Sequence, residues 1–239
     1  MGEEMLAGLD KRPRGSLTTR VTDWIRQAIL DGEIDLGDAL SEDKLAMALG
    51  VSRSPVRQAL AILEQQGLID VRPQRGSFVF RPNQEDINKL CEFRRMVGVD
   101  ALRLAMLRNR APTLAAMKAA AERMEVARED GDRRRMARAD DDFHDALLAN
   151  CGNPYLINAY GLFSGKVAAL RWHHSTMPTS STANAEHFAM VAMLEEGDLQ
   201  GALDMLDIHV MRMADRFEEG LLAHPSCTQN LDHVAPLPR

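Results

Sequence analysis

The sequence predicts a mainly helical chain in two parts: a small N-terminal unit of three short helices and a β-hairpin, then a larger antiparallel all-helical bundle. Three observations predict it. Ala, Leu and Met are plentiful while aromatics make up only 5% of the 239 residues, a mix that favours helix over sheet. Three apolar stripes at helical spacing lie before residue 68, and two β-rich runs follow them at once. From Gln84 onward the spacing is helical almost without interruption.

Residues 1–15 are polar and mixed and read as a flexible arm. The first helix is expected over 18–31, with Val21, Trp24, Ile25, Ala28 and Ile29 on one face and the turn Asp31-Gly32 at its end. Ser41 is placed to cap the second, whose Leu45, Ala46 and Leu49 point inward before Gly50 stops it. Ser52 is placed to cap the third. Pro55 sits in its first turn, where no intrahelical N–H bond is lost, and Val56, Ala59, Leu60 and Leu63 form its buried stripe up to Gly67. The runs 68–71 and 77–80 flank a turn bearing Pro73 and Gly76, which reads as a hairpin. Three helices and a hairpin outline a winged helix-turn-helix over 16–81, with Arg81-Pro82-Asn83 as linker.

The second unit, 84–223, divides into six expected helices at about 84–110, 113–129, 132–150, 154–175, 180–196 and 198–223. Pro112, Gly131, Gly152, Pro178 and Gly197 punctuate them. The two units are expected to hold separate cores. Residues 224–239, rich in Pro, Ser and Asn, read as a disordered tail.

The net charge of −6 means that the chain as a whole is not a basic nucleic-acid binder, so any such surface must be local. Cys91, Cys151 and Cys227 are odd in number and far apart, with no C-x-x-C, so reduced thiols are expected rather than a disulfide framework or Cys-type zinc site. The start carries Glu3 and Glu4 without an apolar h-region, and no apolar run is long enough to span a bilayer. A soluble, cytoplasmic protein with no membrane association is expected.

The third helix carries the most chemistry. Arg53 and Arg57 share a face with Ser54 and Gln58 beside them, opposite the apolar stripe. Such a helix suits the major groove, where Arg pairs with guanine and Gln with adenine. Ser52 and Ser54 suit phosphate contacts, and Arg72 and Arg75 lie at the hairpin tip. A solvated charged face would look the same. Asp31, Glu33, Asp35, Asp38, Glu42 and Asp43 make the preceding region acidic. If DNA binds, those acids are expected to face away from it or to sharpen orientation by repulsion.

In the bundle, Asp140 and His144 are one helical turn apart beside an apolar stripe of Met136, Ala139, Phe143 and Leu147. His187 is in register with Val191 and Leu194, and His209 with Ala202, Leu206, Met213 and Phe217. Each histidine alone suits an ordinary core position. Together, three imidazoles and a carboxylate converging inside a bundle would suit zinc, nickel, manganese or a similar divalent ion. Asp141 is the alternative carboxylate. Arg171, His173 and His174 make a polar cluster that reads either as a pocket rim or as a wet helix face.

Several of these stretches resemble the GntR family of regulators. The winged-helix resemblance covers about residues 18–80, through Ile29-Leu30-Asp31-Gly32-Glu33-Ile34, Leu40-Ser41-Glu42-Asp43-Lys44-Leu45-Ala46, Val51-Ser52-Arg53-Ser54-Pro55-Val56-Arg57-Gln58, Gly67-Leu68-Ile69 and Arg75-Gly76-Ser77-Phe78-Val79. It implies that Arg53, Ser54, Arg57 and the wing tip Arg75-Gly76 contact DNA. Many members carry Arg where Asp43 stands here, a departure that bears on operator preference. Asp140-x-x-Phe143-His144, Gly152-Asn153-Pro154-Tyr155-Leu156, Glu186-His187, Gly197-Asp198 and His209 resemble the FCD effector domain over about 86–222. That resemblance implies metal ligation by Asp140, His144, His187 and His209, and Arg94 as a residue holding an acidic effector. Arg95 is its neighbour on another face, and Gly98 stands where relatives often have Glu. Six expected helices point to the shorter, metal-binding FCD subgroup. The resemblance therefore implies a homodimeric repressor that binds a palindromic operator in double-stranded DNA and senses a small organic acid through a metal-containing domain. Two other readings remain open: a regulator for which the ion is the effector, and a metalloenzyme.

Overall fold

The computed structural model describes residues 15–174 and 177–221, and the side chains among them outside 173–181 and 216–221. The expected arm before residue 15, the tail after 223 and the side chain of His173 lie outside the described residues.

The N-terminal unit forms as its sequence dictates. Helix α1 (Leu17–Leu30) is capped by Ser16, whose hydroxyl accepts from the Thr19 amide at 3.1 Å. Helix α2 (Glu42–Leu49) is capped by Ser41 and closed by Gly50 in the left-handed region, where glycine has no Cβ penalty. Helix α3 (Arg53–Gln65) follows, with Pro55, Val56, Ala59, Leu60 and Leu63 buried. Strands β2 (Ile69–Arg72) and β3 (Gly76–Val79) make the hairpin, and β3 is also paired antiparallel with β1 (Ala39–Leu40). The sheet order is β1-β3-β2. Strand β1 was not expected, because two residues are too short to show a period-2 pattern.

The bundle comprises α4 (Gln84–Arg108), α5 (Arg110–Glu129), α6 (Arg133–Asn150), α7 (Pro154–Gly161), α8 (Ser164–His174), α9 (Met177–Glu196) and α10 (Leu199–Leu221). The expected six helices are therefore corrected to seven among the described residues, and the subgroup argument from helix count falls with them. The segment 154–175 breaks after Gly161 without any proline. The break lets Phe163 meet Phe93 with ring centroids 4.8 Å apart, and brings α8 so close to the hairpin that a Cβ on Gly165 would lie 2.9 Å from Leu68. Tertiary packing selects the kink, so helical periodicity alone misses it. The bundle core gathers Leu102, Met117, Phe143, Leu147, Leu194 and Leu206 from α4, α5, α6, α9 and α10.

The expectation of two separate cores is also corrected. Ile25, Ile29, Leu63 and Leu68 of the N-terminal unit share one apolar cluster with Ile87 and Cys91 of α4, Val167, Ala169 and Leu170 of α8, and Met213 and Ala214 of α10. Helix α8 is thus a plug in the winged helix's own core. Ion pairs line the joint: Arg138 reaches Asp31 at 3.1 Å and Arg134 reaches Glu33 at 2.7 Å.

Gly32 is the tightest point of this joint. Its φ is +69°, and a Cβ there would overlap the indole ring of Trp172. Gly32→Ala is expected to cost at least about 2 kcal/mol, from left-handed strain and overpacking together. A denaturant melt that leaves the midpoint unchanged would disprove the contact.

Candidate functional site

Two sites stand out, one on the winged helix and one inside the bundle. On the first, Arg53, Ser54, Arg57 and Gln58 all lie on the exposed face of α3. Ser52 occupies the N-cap position but makes no capping hydrogen bond with its side chain. Gln58 accepts a hydrogen bond from the Thr18 hydroxyl at 2.7 Å, which ties α3 to the start of α1. Arg75 and Gly76 are exposed at the hairpin tip, where Gln74 (φ +61°) and Gly76 (φ +100°) turn the chain. Arg72 lies over the Phe78 ring at 4.6 Å, so it braces the wing.

Two of the acids do not face away. Glu42 accepts from Arg57 Nε at 3.1 Å and from Nη2 at 2.9 Å. Asp43 pairs with Arg53 Nε at 3.0 Å, and Glu42 also lies 3.6 Å from Arg53. The N-terminus of α2 tolerates both carboxylates through its dipole and sets them beside the α3 arginines. Of the two arrangements expected for the acidic patch, turning away does not hold for these two residues, and orientation by repulsion remains open to them. A guanidinium has five N–H donors, so Arg57 keeps its outer edge while Glu42 fixes the inner one.

Inside the bundle, Asp140, His144, His187 and His209 converge so that one ligand atom from each lies within 4.8 Å of every other. His209 Nε2 is 3.2 Å from both His144 Nε2 and His187 Nε2, and Asp140 Oδ1 is 3.5 Å from His187 Nε2. Three ring nitrogens pointing at one spot cannot satisfy one another by hydrogen bonding alone, because each neutral imidazole has one donor and one acceptor. Burial, reinforced by nearby Arg94 and Arg171, drives His144 well below the usual imidazole range. Burial and His209 do the same to His187 against the pull of Asp140. Both are held as neutral bases, the form that ligates metal. Burial pushes the Asp140 carboxyl up, but the positive charge around it, Arg171 first, outweighs that and holds it below the usual carboxylate range. An N3O donor set of this kind fits a divalent ion, with Asp140 Oδ1 and the three imidazoles as the holders.

The surrounding contacts aim these groups. Glu186 accepts from His209 Nδ1 at 2.8 Å, which puts the lone pair of that ring on Nε2. Arg212 pairs with the other oxygen of Glu186. His187 is stacked on Phe143 with centroids 3.8 Å apart. Asp140 Oδ2 is taken by Arg171 Nε at 2.8 Å, so only Oδ1 faces the imidazoles. Asp141, the alternative carboxylate, pairs instead with Arg171. Arg171 is largely but not fully buried, and it lines a cavity of about 250 Å³ between the bundle and the winged helix, shared with Arg26, Gln66, Asp145 and Tyr160. Arg94 is buried beneath the cluster, and its Nη2 has no hydrogen-bond partner. It lines a space of only about 10 Å³ with Gly98, His144, Tyr160, Leu206 and Val210. Arg95 is exposed and reaches Asp207 at 3.4 Å. Sequence reasoning missed the roles of Glu186 and Glu42; an acid beside a predicted ligand or across from a predicted reading arginine was the available signal.

For the metal-free chain, the depressed imidazoles have a pH consequence. Above about pH 6.5 they are neutral in both states and cost nothing. As pH falls below 6.5 the unfolded rings take protons that folded His144 and His187 refuse. Stability is expected to drop by about 1.4 kcal/mol per pH unit for each ring. Denaturant midpoints between pH 8 and 5, with and without His187→Gln, check the slope; a flat profile in both would refute it.

Family models match both halves. Residues 17–79 match the bacterial regulatory proteins of the gntR family, and residues 89–212, which hold the four converging side chains, match the FCD domain. The chain belongs to the GntR family. A probable D-xylose utilization operon transcriptional repressor from Paenarthrobacter nicotinovorans is 30% identical over 198 residues, 82% of this chain and 87% of that one. The gluconate operon transcriptional repressor of Bacillus licheniformis is 37% identical over 81 residues, 34% of this chain and 33% of that one. The crystal structure of a putative GntR regulator from Rhodococcus sp. RHA1 superposes with a TM-score of 0.74 at 25% identity, covering 87% of this chain and 99% of that one. As a GntR-family protein the chain is a DNA-binding transcription regulator and not an enzyme, so the metalloenzyme reading is dropped. Among the described residues no helix is long and apolar enough to cross a membrane.

Proposed function

We propose that this GntR-family chain is a repressor that binds a palindromic operator as a homodimer and releases or tightens it in response to a small organic acid. A divalent ion (zinc, nickel or manganese) is held by Asp140, His144, His187 and His209. The ion supplies Lewis acidity for a carboxylate. Arg94, buried with an unpartnered Nη2 beside the cluster, supplies the matching cation, because an unpaired buried donor is costly and an anion relieves it. That orphaned guanidinium carries the reading. The space in front of it holds about one water, so an acid enters only if the surrounding helices shift, and a ligand that prefers the shifted arrangement changes its population.

Helix α8 is placed to pass the shift on. Arg171 ties it to Asp140, while Val167, Ala169 and Leu170 sit in the winged-helix core. Arg53, Arg57 and Gln58 of α3 read base edges, Ser52 and Ser54 hold phosphates, and Arg75 and Gly76 follow the adjacent groove or backbone. One short recognition helix reads few bases, which favours two copies on two half-sites.

The test is operator binding by anisotropy at fixed salt, with a screen of small organic acids. Arg57→Ala is expected to lose about 1–3 kcal/mol, and one carboxylate class is expected to change wild-type affinity. Unchanged affinity in both Arg53→Ala and Arg57→Ala, or one chain per operator at full affinity in sedimentation, would refute the reading. A second reading, in which the ion is the effector, is favoured by Asp140 sharing its carboxylate between cluster and Arg171. Chelation that alone abolishes regulation, with no acid effective, would select it.

A further inference from the structure

We propose that Asp43 is a specificity-determining residue that reads a cytosine in each half-site, beside the guanines read by Arg53 and Arg57. The inference rests on α3 being the DNA-reading helix. Asp43 is 67% exposed, on the same face as Arg53 and Arg57, and it stands in the first turn of α2. One of its oxygens pairs with Arg53 Nε at 3.0 Å. Glu42, only 27% exposed, fixes Arg57 along one edge of its guanidinium. The two arginines therefore present their outer N–H groups on the reading face, with one exposed carboxylate beside Arg53 on that same face.

That carboxylate constrains what can lie opposite it. An ionised Asp only accepts hydrogen bonds. Over a phosphate it is repelled. Over guanine it meets N7 and O6, and over thymine O4, all acceptors. Adenine offers its amino group, but with the N7 acceptor beside it. Cytosine alone presents a donor, N4, at the outer end of its pair's major-groove edge and no acceptor of its own there. Asp43 therefore favours one base and penalises three, while keeping Arg53 aligned for its own guanine. The same carboxylate lowers affinity for DNA in general, because it offsets part of the positive charge of the face.

The experiment is selection of binding sites from a randomised duplex library at fixed salt, with full-length wild type, Asp43→Ala and Asp43→Asn, and Arg57→Ala in parallel. Asp43 is exposed, so circular dichroism melts of its variants are expected to match wild type. Wild type is expected to prefer cytosine about tenfold at one position per half-site. Asp43→Ala is expected to flatten that position, leave the guanine preferences in place and bind non-cognate DNA more tightly. Asp43→Asn is expected to admit adenine there, since a carboxamide pairs with both N6 and N7. Identical preferences in wild type and both Asp43 variants would overturn the proposal. So would uniform tightening by Asp43→Ala with the cytosine retained. If wild type and Arg57→Ala select the same sequences, the assignment of α3 as the reading helix fails instead.

Discussion

His187→Ala is expected to emerge from metal-replete growth without a divalent ion, where wild type is expected to carry one per chain. His187 is fully buried, with its Nε2 3.2 Å from that of His209 and its ring stacked on Phe143. Alanine there removes a ligand and opens a hole between α6 and α9. Because the ion binds the folded chain in preference to the unfolded one, an ion a thousandfold above its dissociation constant contributes about 4 kcal/mol to wild type. The variant forfeits that and the packing of a buried ring besides. Chelation is expected to lower the wild-type melting temperature and leave the variant unmoved. The winged helix is expected to melt with the bundle in a single transition, because Leu63 and Leu68 share a core with Leu170 and Ala214. Elemental analysis of both proteins after identical purification decides the first point. Equal metal contents, or none in wild type, would make the four side chains ordinary core polar groups.

How much of this was legible follows from the physics of each element. Helices α1, α2 and α3 announce themselves through local rules: a stripe at helical spacing and a glycine or Asp-Gly stop, with a Ser cap as well at α2. The convergence of Asp140, His144, His187 and His209 was partly legible, because spacing puts Asp140 above His144 and His187 and His209 each fall on an apolar stripe that must face the core; the resemblance to the FCD domain, not spacing, singled them out as a set. What stayed hidden was set by contacts between distant segments. The break between α7 and α8 has no proline to mark it; it is fixed by Phe163 meeting Phe93 and Gly165 meeting Leu68. The joint hinges on Gly32 against Trp172, 140 positions along the chain. The placement of Glu42 and Asp43 beside Arg57 and Arg53 depends on how α2 packs on α3, and charge counting along the chain gave only their sign. Arg94 and Arg95 illustrate the same limit at one residue's resolution: helical phase separates their faces, but only the packed bundle buries the first and leaves the second paired with Asp207 at the surface.

Arg171→Met is expected to uncouple the bundle from the winged helix. Arg171 is largely buried, bonds Asp140 through Nε at 2.8 Å and pairs with Asp141 through Nη1. Burial works against its charge, and the two carboxylates more than offset that. Burial also pushes the Asp141 carboxyl up to about 6, so at neutral pH both carboxylates balance the guanidinium, and Asp141 gives up its share first as the pH falls. Methionine keeps much of the side chain's volume but leaves Asp140 buried without its cation, a loss of about 3–5 kcal/mol when one partner of a buried pair is removed. A divalent ion held by the cluster would supply positive charge to the same carboxylate. The deficit is therefore expected to be largest in chelator and smaller with the ion bound, opposite to the behaviour of a residue that merely fills space. Regulation should change in a second way. On the proposed reading, ligand-induced change at the cluster reaches α8 through this bond, and coupling of about 1–3 kcal/mol would correspond to a 5- to 150-fold shift in operator affinity. In Arg171→Met, operator binding is expected to persist, because α3 and the wing are untouched, while the ratio of affinities with and without ligand falls toward one. Melts in chelator and in ion, and anisotropy across the same ligand series, measure both effects. A variant that loses stability equally in both conditions and keeps the full regulatory ratio would show that the signal leaves the bundle by another path, through the α4 and α10 side of the joint.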